Sequence, residues 1–155
     1  MSVKEFQTMK KITIFTDGAS KGNPGPAAIG VVFCNEKGQC FKKYAEYLGE
    51  SYTNNEAEYR ALIFALKKFK ALFGGKIAKT SEIEIKSDSE LLIKQLKGEY
   101  KILESKIQPL FLLAWNLKTD FKRIKFTLIS RENNKTADTL ANEAINNESR
   151  TQKLI

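Results

Sequence analysis

The spacing of apolar residues changes near residue 53, and this change is the strongest constraint on the fold. Before it, β-branched and apolar residues alternate with polar ones, as in KKITIFTDG, and this alternation predicts strands. The loop ASKGNPGP and the turn NEKGQ divide this part into a three-stranded antiparallel meander. From Ala57 to Leu72 the apolar residues recur at helical spacing, which predicts a helix that ends at Gly74-Gly75.

The second half of the chain alternates between strand and helix patterns. SEIEIKSD and KRIKFTLIS predict strands, whereas SELLIKQLKG, ESKIQPLFLLAWNLKTDF and NNKTADTLANEAINN predict helices. Trp115, in the second of these helices, is predicted to lie in the core. The element order βββαβααβα predicts an α/β fold whose mixed five-stranded sheet starts with three antiparallel strands and is flanked by helices.

The length of 155 residues suits one domain, predicted to cover residues 10–148 between a flexible N-terminal lead-in (1–9) and a C-terminal tail (149–155). No apolar run approaches the roughly 18 residues of a membrane span, and the N-terminus lacks the apolar stretch of a signal peptide. We therefore expect a cytoplasmic protein with no membrane partner. Cys34 and Cys40 flank the NEKGQ turn, where a cross-strand disulfide is geometrically conceivable, but two reduced thiols are the favoured interpretation.

The chain contains no histidine, and this absence excludes several kinds of chemistry. Nucleophile systems that depend on histidine and zinc or iron sites with histidine ligands are ruled out. Hydrolytic chemistry must then rest on carboxylates, lysines, hydroxyls or metals bound by oxygen. The formal net charge of +8 permits binding to nucleic acid but is weak evidence for it.

Four acidic residues are predicted at strand ends or in the first turns of helices. Asp17 and Asp88 end the first and fourth strands, and Glu58 and Asp138 lie early in the first and last helices. Each position has a structural explanation, because Asp-Gly is a common turn and acids favour helix N-termini. Taken singly, Asp17, Asp88 and Asp138 are better explained by structure than by function.

The segment TNNEAEYRAL sets Glu58 apart from the other acids. Thr53 and Glu56 have the spacing of a capping box, which gives Glu56 a structural role. Glu58 instead falls on the apolar line of the helix, where a carboxylate is costly unless it is paired or holds a metal. Oxygen ligands suit Mg²⁺, and four carboxylates can hold two ions about 3.5–4 Å apart, as in phosphodiester hydrolysis. Only the fold can show whether the four acids meet.

Four segments resemble motifs of type 1 ribonuclease H. They are FTDGASKGNPGPAAIGVV, TNNEAEYRAL, SDSELL and RENNKTADTLANEA, which occur in the order of that family and span about residues 10–146. The resemblance implies a ribonuclease-H-like fold and endonucleolytic cleavage of the RNA strand of RNA·DNA hybrids with two Mg²⁺ or Mn²⁺ ions. It places the metal-binding acids at Asp17, Glu58, Asp88 and Asp138.

The resemblance also implies contacts with the hybrid duplex. The predicted substrate-binding residues are Gly18, Ala19 and Ser20 at the RNA ribose-phosphate, Asn23, Asn54 and Asn55 at the minor groove, and Thr53 at a DNA phosphate. Many family members carry a histidine in the loop before the last helix. Here that loop is the short SRENNKTAD, as in a short-looped subgroup that resembles archaeal and some bacterial members. Arg131 is therefore predicted as a catalytic residue that stabilises phosphate charge. A Trp-rich basic protrusion found in some members is not evident.

Alternative functions on the same fold are a catalytically inactive hybrid-binding module and a related nuclease. An inactive module would lack one of the four acids, and all four are present. DGASKGNPGP and TNNEAE argue against a resolvase or a transposase-type enzyme. The ribonuclease H domain of a reverse transcriptase is left open. We expect a monomer.

Overall fold

The computed structural model describes the backbone of residues 11–154 and the side chains of residues 11–151. The predicted lead-in, residues 1–9, lies outside the described residues. Within the described chain, no helix has the length and apolar character needed to cross a membrane.

Five strands form one mixed sheet, as predicted. They are β1 (Lys11–Ser20), β2 (Gly25–Cys34), β3 (Cys40–Tyr52), β4 (Glu82–Ser87) and β5 (Arg123–Leu128). Their order across the sheet is β3-β2-β1-β4-β5. β1 pairs antiparallel with β2, and β2 with β3, whereas β1, β4 and β5 run parallel. The parallel strands β1 and β4 lie side by side at the centre and deliver their C-terminal ends to the same edge of the sheet.

Four helices lie between strands, and the last one follows β5. They are α1 (Asn54–Phe73), α2 (Gly75–Thr80), α3 (Glu90–Leu96), α4 (Gln108–Lys118) and α5 (Lys135–Leu154), with a short 3₁₀ turn at Arg131–Asn134. The predicted element order holds with one addition, α2. This six-residue helix buries only Ala78 and is too short to show helical periodicity. The last helix continues through residues 149–154, which were assigned to a tail.

The two faces of the sheet are covered unequally. On one face Ile12 and Ile14 of β1 join the main core with α1, α3 and α4. On the other face α5 packs across β2, β1 and β3, with a small cluster around Val32 and Ala137. Gly30 allows this approach, because a Cβ there would lie 2.0 Å from the Ala137 carbonyl oxygen. Strand β2 is therefore buried on both faces.

Two expectations about single residues are wrong. Cys34 and Cys40 form a disulfide, because the hairpin places them directly opposite each other in the β2–β3 register. Trp115 is 42% exposed rather than buried in the core. Helix α4 packs inward through Leu110 and Ala114, which lie four residues apart on one face of the helix. Trp115 directly follows Ala114 and therefore points outward. There the indole stacks on Phe111.

The capping box at the start of α1 is confirmed. Thr53 Oγ1 accepts a hydrogen bond from the Glu56 backbone N–H at 3.1 Å, and the Glu56 carboxylate accepts one from the Thr53 N–H at 3.1 Å. This reciprocal pair fixes where the helix begins. The position two residues on, Glu58, is turned toward the protein and is 8% exposed.

Glu56→Ala should lower the free energy of unfolding by about 0.5–1 kcal/mol, because one half of the reciprocal cap is lost. Urea denaturation measures the change. Arg60→Ala, an exposed position on the same helix, is the control and should stay within about 0.5 kcal/mol of the parent. Equal stability of Glu56→Ala and the parent would contradict a stabilising cap.

Candidate active site

The edge of the sheet where β1 and β4 end carries two acids. Asp17 belongs to β1 and is 5% exposed, and Asp88 directly follows β4. The β1–β4 register ends at Phe15↔Lys86, so both acids lie just beyond the last paired residues. Ligand sites in α/β sheets favour this position, where adjacent strands separate.

Glu58 reaches this edge from helix α1. Its carboxylate accepts a hydrogen bond from the Gly18 backbone N–H, and the nearby Ser89 side chain lowers its pKa. Gly18 is needed for the close approach, because a Cβ there would lie 2.2 Å from the Ala57 carbonyl carbon. One carboxylate oxygen each from Asp17, Glu58 and Asp88 lies within 4.8 Å of the others. Three of the four predicted acids therefore converge.

Asp138, the fourth predicted acid, lies beside this group in the first turn of α5. Its carboxylate is close enough to raise the pKa of Asp17 but is not one of the three converging acids. Asn142, one turn further along the helix, donates from Nδ2 to Asp138 Oδ1 at 3.1 Å. Arg131 is exposed and close enough to lower the pKa of Asp17. Helix α5 and the turn before it thus complete the acidic groove.

The acids disturb one another's protonation. Burial, followed by the charges of Asp88 and Asp138, raises the pKa of Asp17 to about 8. Burial and the charge of Asp17 raise the pKa of Glu58 well above its ordinary value, although the hydrogen bond from Gly18 opposes this shift. Both shifts show that negative charge is unfavourable here in the absence of a cation.

A divalent cation fits this set of side chains. Asp17 Oδ2 is buried and has no hydrogen-bond partner among the side chains that the structure describes. The ligands on offer are all carboxylate oxygens, which are the donors that hard cations prefer. A bound cation would remove the repulsion that raises both pKa values.

The predicted substrate-binding residues line two adjoining grooves. Gly18, Ala19, Ser20 and Asn54 lie with the acids and Arg131 in a groove of about 440 Å³. Asn23, Thr53 and Asn55 lie in the adjoining groove of about 350 Å³, which shares Asn54 and Glu58 with the first. The structure therefore brings all the predicted site residues to one end of the sheet.

Several of these residues are already engaged within the protein. The Gly18 N–H is used by Glu58. Asn23 Oδ1 accepts a hydrogen bond from the Asn54 backbone N–H at 3.0 Å, so it serves the N-terminus of α1. Asn55 is different, because its side-chain oxygen and nitrogen are both buried with no hydrogen-bond partner in the described part of the chain. Buried amides in proteins are usually hydrogen-bonded to protein or to ordered water, so Asn55 has unused hydrogen-bonding capacity at this groove.

Three residues of the site are not among those predicted from the sequence. Ser89 lies close enough to Glu58 to lower its pKa, Asn142 hydrogen-bonds Asp138, and Asn134 lies 3.5 Å from Asp88. The spacing of four residues between Asp138 and Asn142 on one helix was a usable signal. Ser89 directly follows Asp88 and caps α3, so its capping role already explains a serine at this position. Asn134 carries no sequence signal, because only the fold buries it.

Comparison with known proteins agrees with this geometry. A sequence profile of the family described as Reverse transcriptase-like matches residues 15–144. The chain is 38% identical over 135 residues to Ribonuclease HI of Halobacterium salinarum, covering 87% of this chain and 64% of the relative. The crystal structure of RNase H1 from the same archaeon matches with a TM-score of 0.80 over 88% of this chain and 98% of that one. The chain belongs to the type 1 ribonuclease H family.

Two further relatives extend the comparison within the ribonuclease H family. The crystal structure of LC11-RNase H1 in complex with an RNA/DNA hybrid is 43% identical, with a TM-score of 0.83 over 88% of this chain and 98% of that one. The bifunctional protein Rv2228c of Mycobacterium tuberculosis is 35% identical over 136 residues. The chain spans 64% of the Halobacterium protein but only 35% of the mycobacterial one.

The raised pKa of Asp17 predicts how stability depends on pH without divalent cations. The folded protein keeps a proton that the unfolded chain releases above the ordinary value of 3.8. The free energy of unfolding should therefore fall as the pH rises from about 4 to about 8, and level off above that.

Asp17→Asn should flatten this dependence of stability on pH. Urea denaturation in EDTA across this range measures it, with Glu143→Gln, an exposed acid on α5, as the control. Identical slopes in Asp17→Asn and the parent would refute the shift.

Proposed function

We propose that this protein is an endoribonuclease that cleaves the RNA strand of RNA·DNA hybrids with two Mg²⁺ ions, for which Mn²⁺ can substitute. The observation that carries the proposal is the convergence of Asp17, Glu58 and Asp88 at the end of a ribonuclease H sheet. The hybrid bound to the related LC11 enzyme supports the same substrate class here. The predicted cytoplasmic location and monomeric state stay predictions.

The four acids would share the work of holding the cations. Asp17, Glu58 and Asp88 offer oxygens within 4.8 Å of one another, and Asp138 adds a carboxylate from α5. Bound ions would supply charge stabilisation for the reacting phosphate and a more acidic water. The chain itself orients the ligands, since the Gly18 N–H holds Glu58 while Asn142 holds Asp138.

The reaction is an in-line displacement at phosphorus. The oxygen of a water molecule forms a new P–O bond while the bond from phosphorus to the ribose oxygen of the leaving strand breaks. The proton lost by the water is balanced by the one gained by the leaving oxygen, so no other reactant is needed. Arg131 is exposed at the rim of the acidic groove, where its guanidinium would bind a phosphate oxygen whose negative charge grows during the reaction.

Asn55 is the residue best suited to read the hybrid. Its amide oxygen and nitrogen are buried beside the groove next to the acids and have no partner in the described part of the chain, so the side chain would have to turn toward the groove to offer its donor and acceptor. The RNA 2′-hydroxyl is likewise both donor and acceptor and is exposed in the wide minor groove of an RNA-containing helix. The hydrogen bond from the Asn54 N–H to Asn23 Oδ1 fixes these two residues relative to each other in the wall of the same groove. We assign Ser20 and Ala19 to the RNA backbone and Thr53 to the DNA backbone.

Cleavage assays test the proposed function directly. With Mg²⁺ the protein should cut the RNA strand of an RNA·DNA hybrid, leave RNA·RNA and DNA·DNA duplexes intact, and lose activity in EDTA. Asp88→Asn should reduce single-turnover cleavage by about a hundredfold or more, because charge stabilisation of this kind is worth that much in comparable sites. Glu143→Gln is the matched control and should cut like the parent. Hybrid binding without any cleavage by the parent would indicate a binding module instead.

Arg131→Ala should slow cleavage of saturating hybrid by about 10- to 100-fold, the range expected for a lost hydrogen bond to a charged group. Cleavage should fall more than folding stability does, since the side chain is exposed, and melting curves measure the second effect. Arg123→Ala removes the same charge from the start of β5, far from the groove, and serves as the control. If both variants cut at the same rate, Arg131 has no part in the chemistry.

A further inference from the structure

Asn134 is a buried polar residue next to the acidic groove that no part of the proposed reaction uses. It ends the 3₁₀ turn Arg131–Asn134, immediately before α5, and is 1% exposed. Its side-chain oxygen is buried without a hydrogen-bond partner in the described part of the chain. Placing such an amide in the interior is unfavourable, so packing alone does not account for an asparagine here.

The Asn134 side chain fills the place where β1 and β4 separate. The β1–β4 ladder ends at Phe15↔Lys86, and the carbonyl of the next residue, Thr16, accepts a hydrogen bond from Asn134 Nδ2 at 2.9 Å. The same nitrogen lies 3.5 Å from Asp88 Oδ1. An amide nitrogen carries two hydrogens in fixed directions. The Asn134 amide can therefore face the Thr16 carbonyl of β1 and the Asp88 carboxylate after β4 at the same time.

We propose that Asn134 is a positioning residue that orients the Asp88 carboxylate and thereby sets the affinity of the acidic site for divalent cations. The amide lies beside Asp88 Oδ1, and one oxygen of the same carboxylate lies within 4.8 Å of oxygens of Asp17 and Glu58. Groups that orient metal ligands in this way commonly change metal affinity by about 10- to 100-fold when they are removed. The inference rests on the proposed function only in taking a divalent cation as the cofactor.

The amide is the group that meets both requirements at this position. An aspartate would turn only oxygens toward the Thr16 carbonyl and the Asp88 carboxylate, and these oxygens would repel one another. An apolar side chain would leave the Thr16 carbonyl without its donor. By tying the turn to β1, Asn134 also holds Arg131 near Asp17, whose pKa the arginine lowers.

The test separates cation binding from folding and from cleavage. The melting temperatures of the parent, Asn134→Ala and Asn133→Ala are measured without hybrid, first in EDTA and then across a Mg²⁺ or Mn²⁺ titration. Asn133 is the exposed neighbour in the same turn. The cation concentration that gives half of the stabilisation should rise about tenfold or more in Asn134→Ala and stay at the parental value in Asn133→Ala.

Cleavage provides a second and independent measurement. In Asn134→Ala the Mg²⁺ concentration for half-maximal cleavage should rise by a similar factor, whereas KM for the hybrid should stay within about twofold of the parent. Should Asn134→Ala fail to fold, Asn134→Ser takes its place, because one short hydroxyl cannot reach both acceptors. Parental cation dependence in the folded variant would overturn the proposal. A parent that binds cations but cuts no hybrid would refute the proposed function alone, since the melting titration would still decide the role of Asn134.

Discussion

Mutual repulsion among Asp17, Glu58 and Asp88 opposes folding, and much of the local structure can be understood as holding these acids together. Burial strengthens the repulsion, as the raised pKa values of Asp17 and Glu58 show. Each acid comes from a different element: a central strand, the long helix α1 and the residue after β4. The main core on one side of the sheet keeps these elements from moving apart.

The placement of Glu58 depends on two local features that act together. The capping box sets the rotational register of α1, which decides that Glu58 rather than Glu56 faces inward. Gly18 then sets the distance, because any side chain there would collide with the backbone at Ala57. Its N–H also donates to the carboxylate that it admits. Gly18 therefore places Glu58 in two ways, through its lack of a side chain and through its backbone N–H.

Much of this arrangement could be predicted from the sequence, and the misses have physical causes. Periodicity gave the five strands, and helical phase gave the inward direction of Glu58, because both are local properties of the chain. The short helix α2 has too few residues to show a period. The exposure of Trp115 depends on which face α4 turns to the core, and the Cys34–Cys40 bond depends on the register of a hairpin. Asn134 is buried through contacts with residues that are distant in sequence, among them Thr16, which lies 118 positions away.

The strand order β3-β2-β1-β4-β5 leaves β3 and β5 as the two edges of the sheet. Edge strands have unpaired backbone groups and invite other chains to add to them, and exposed lysines are a common protection. Lys42 and Lys43 on β3, and Arg123 and Lys125 on β5, are all exposed. Part of the basic excess of this protein is thus placed to discourage aggregation, a role that requires no nucleic acid. Net charge alone therefore overstates how much of the surface is available to bind a polyanion.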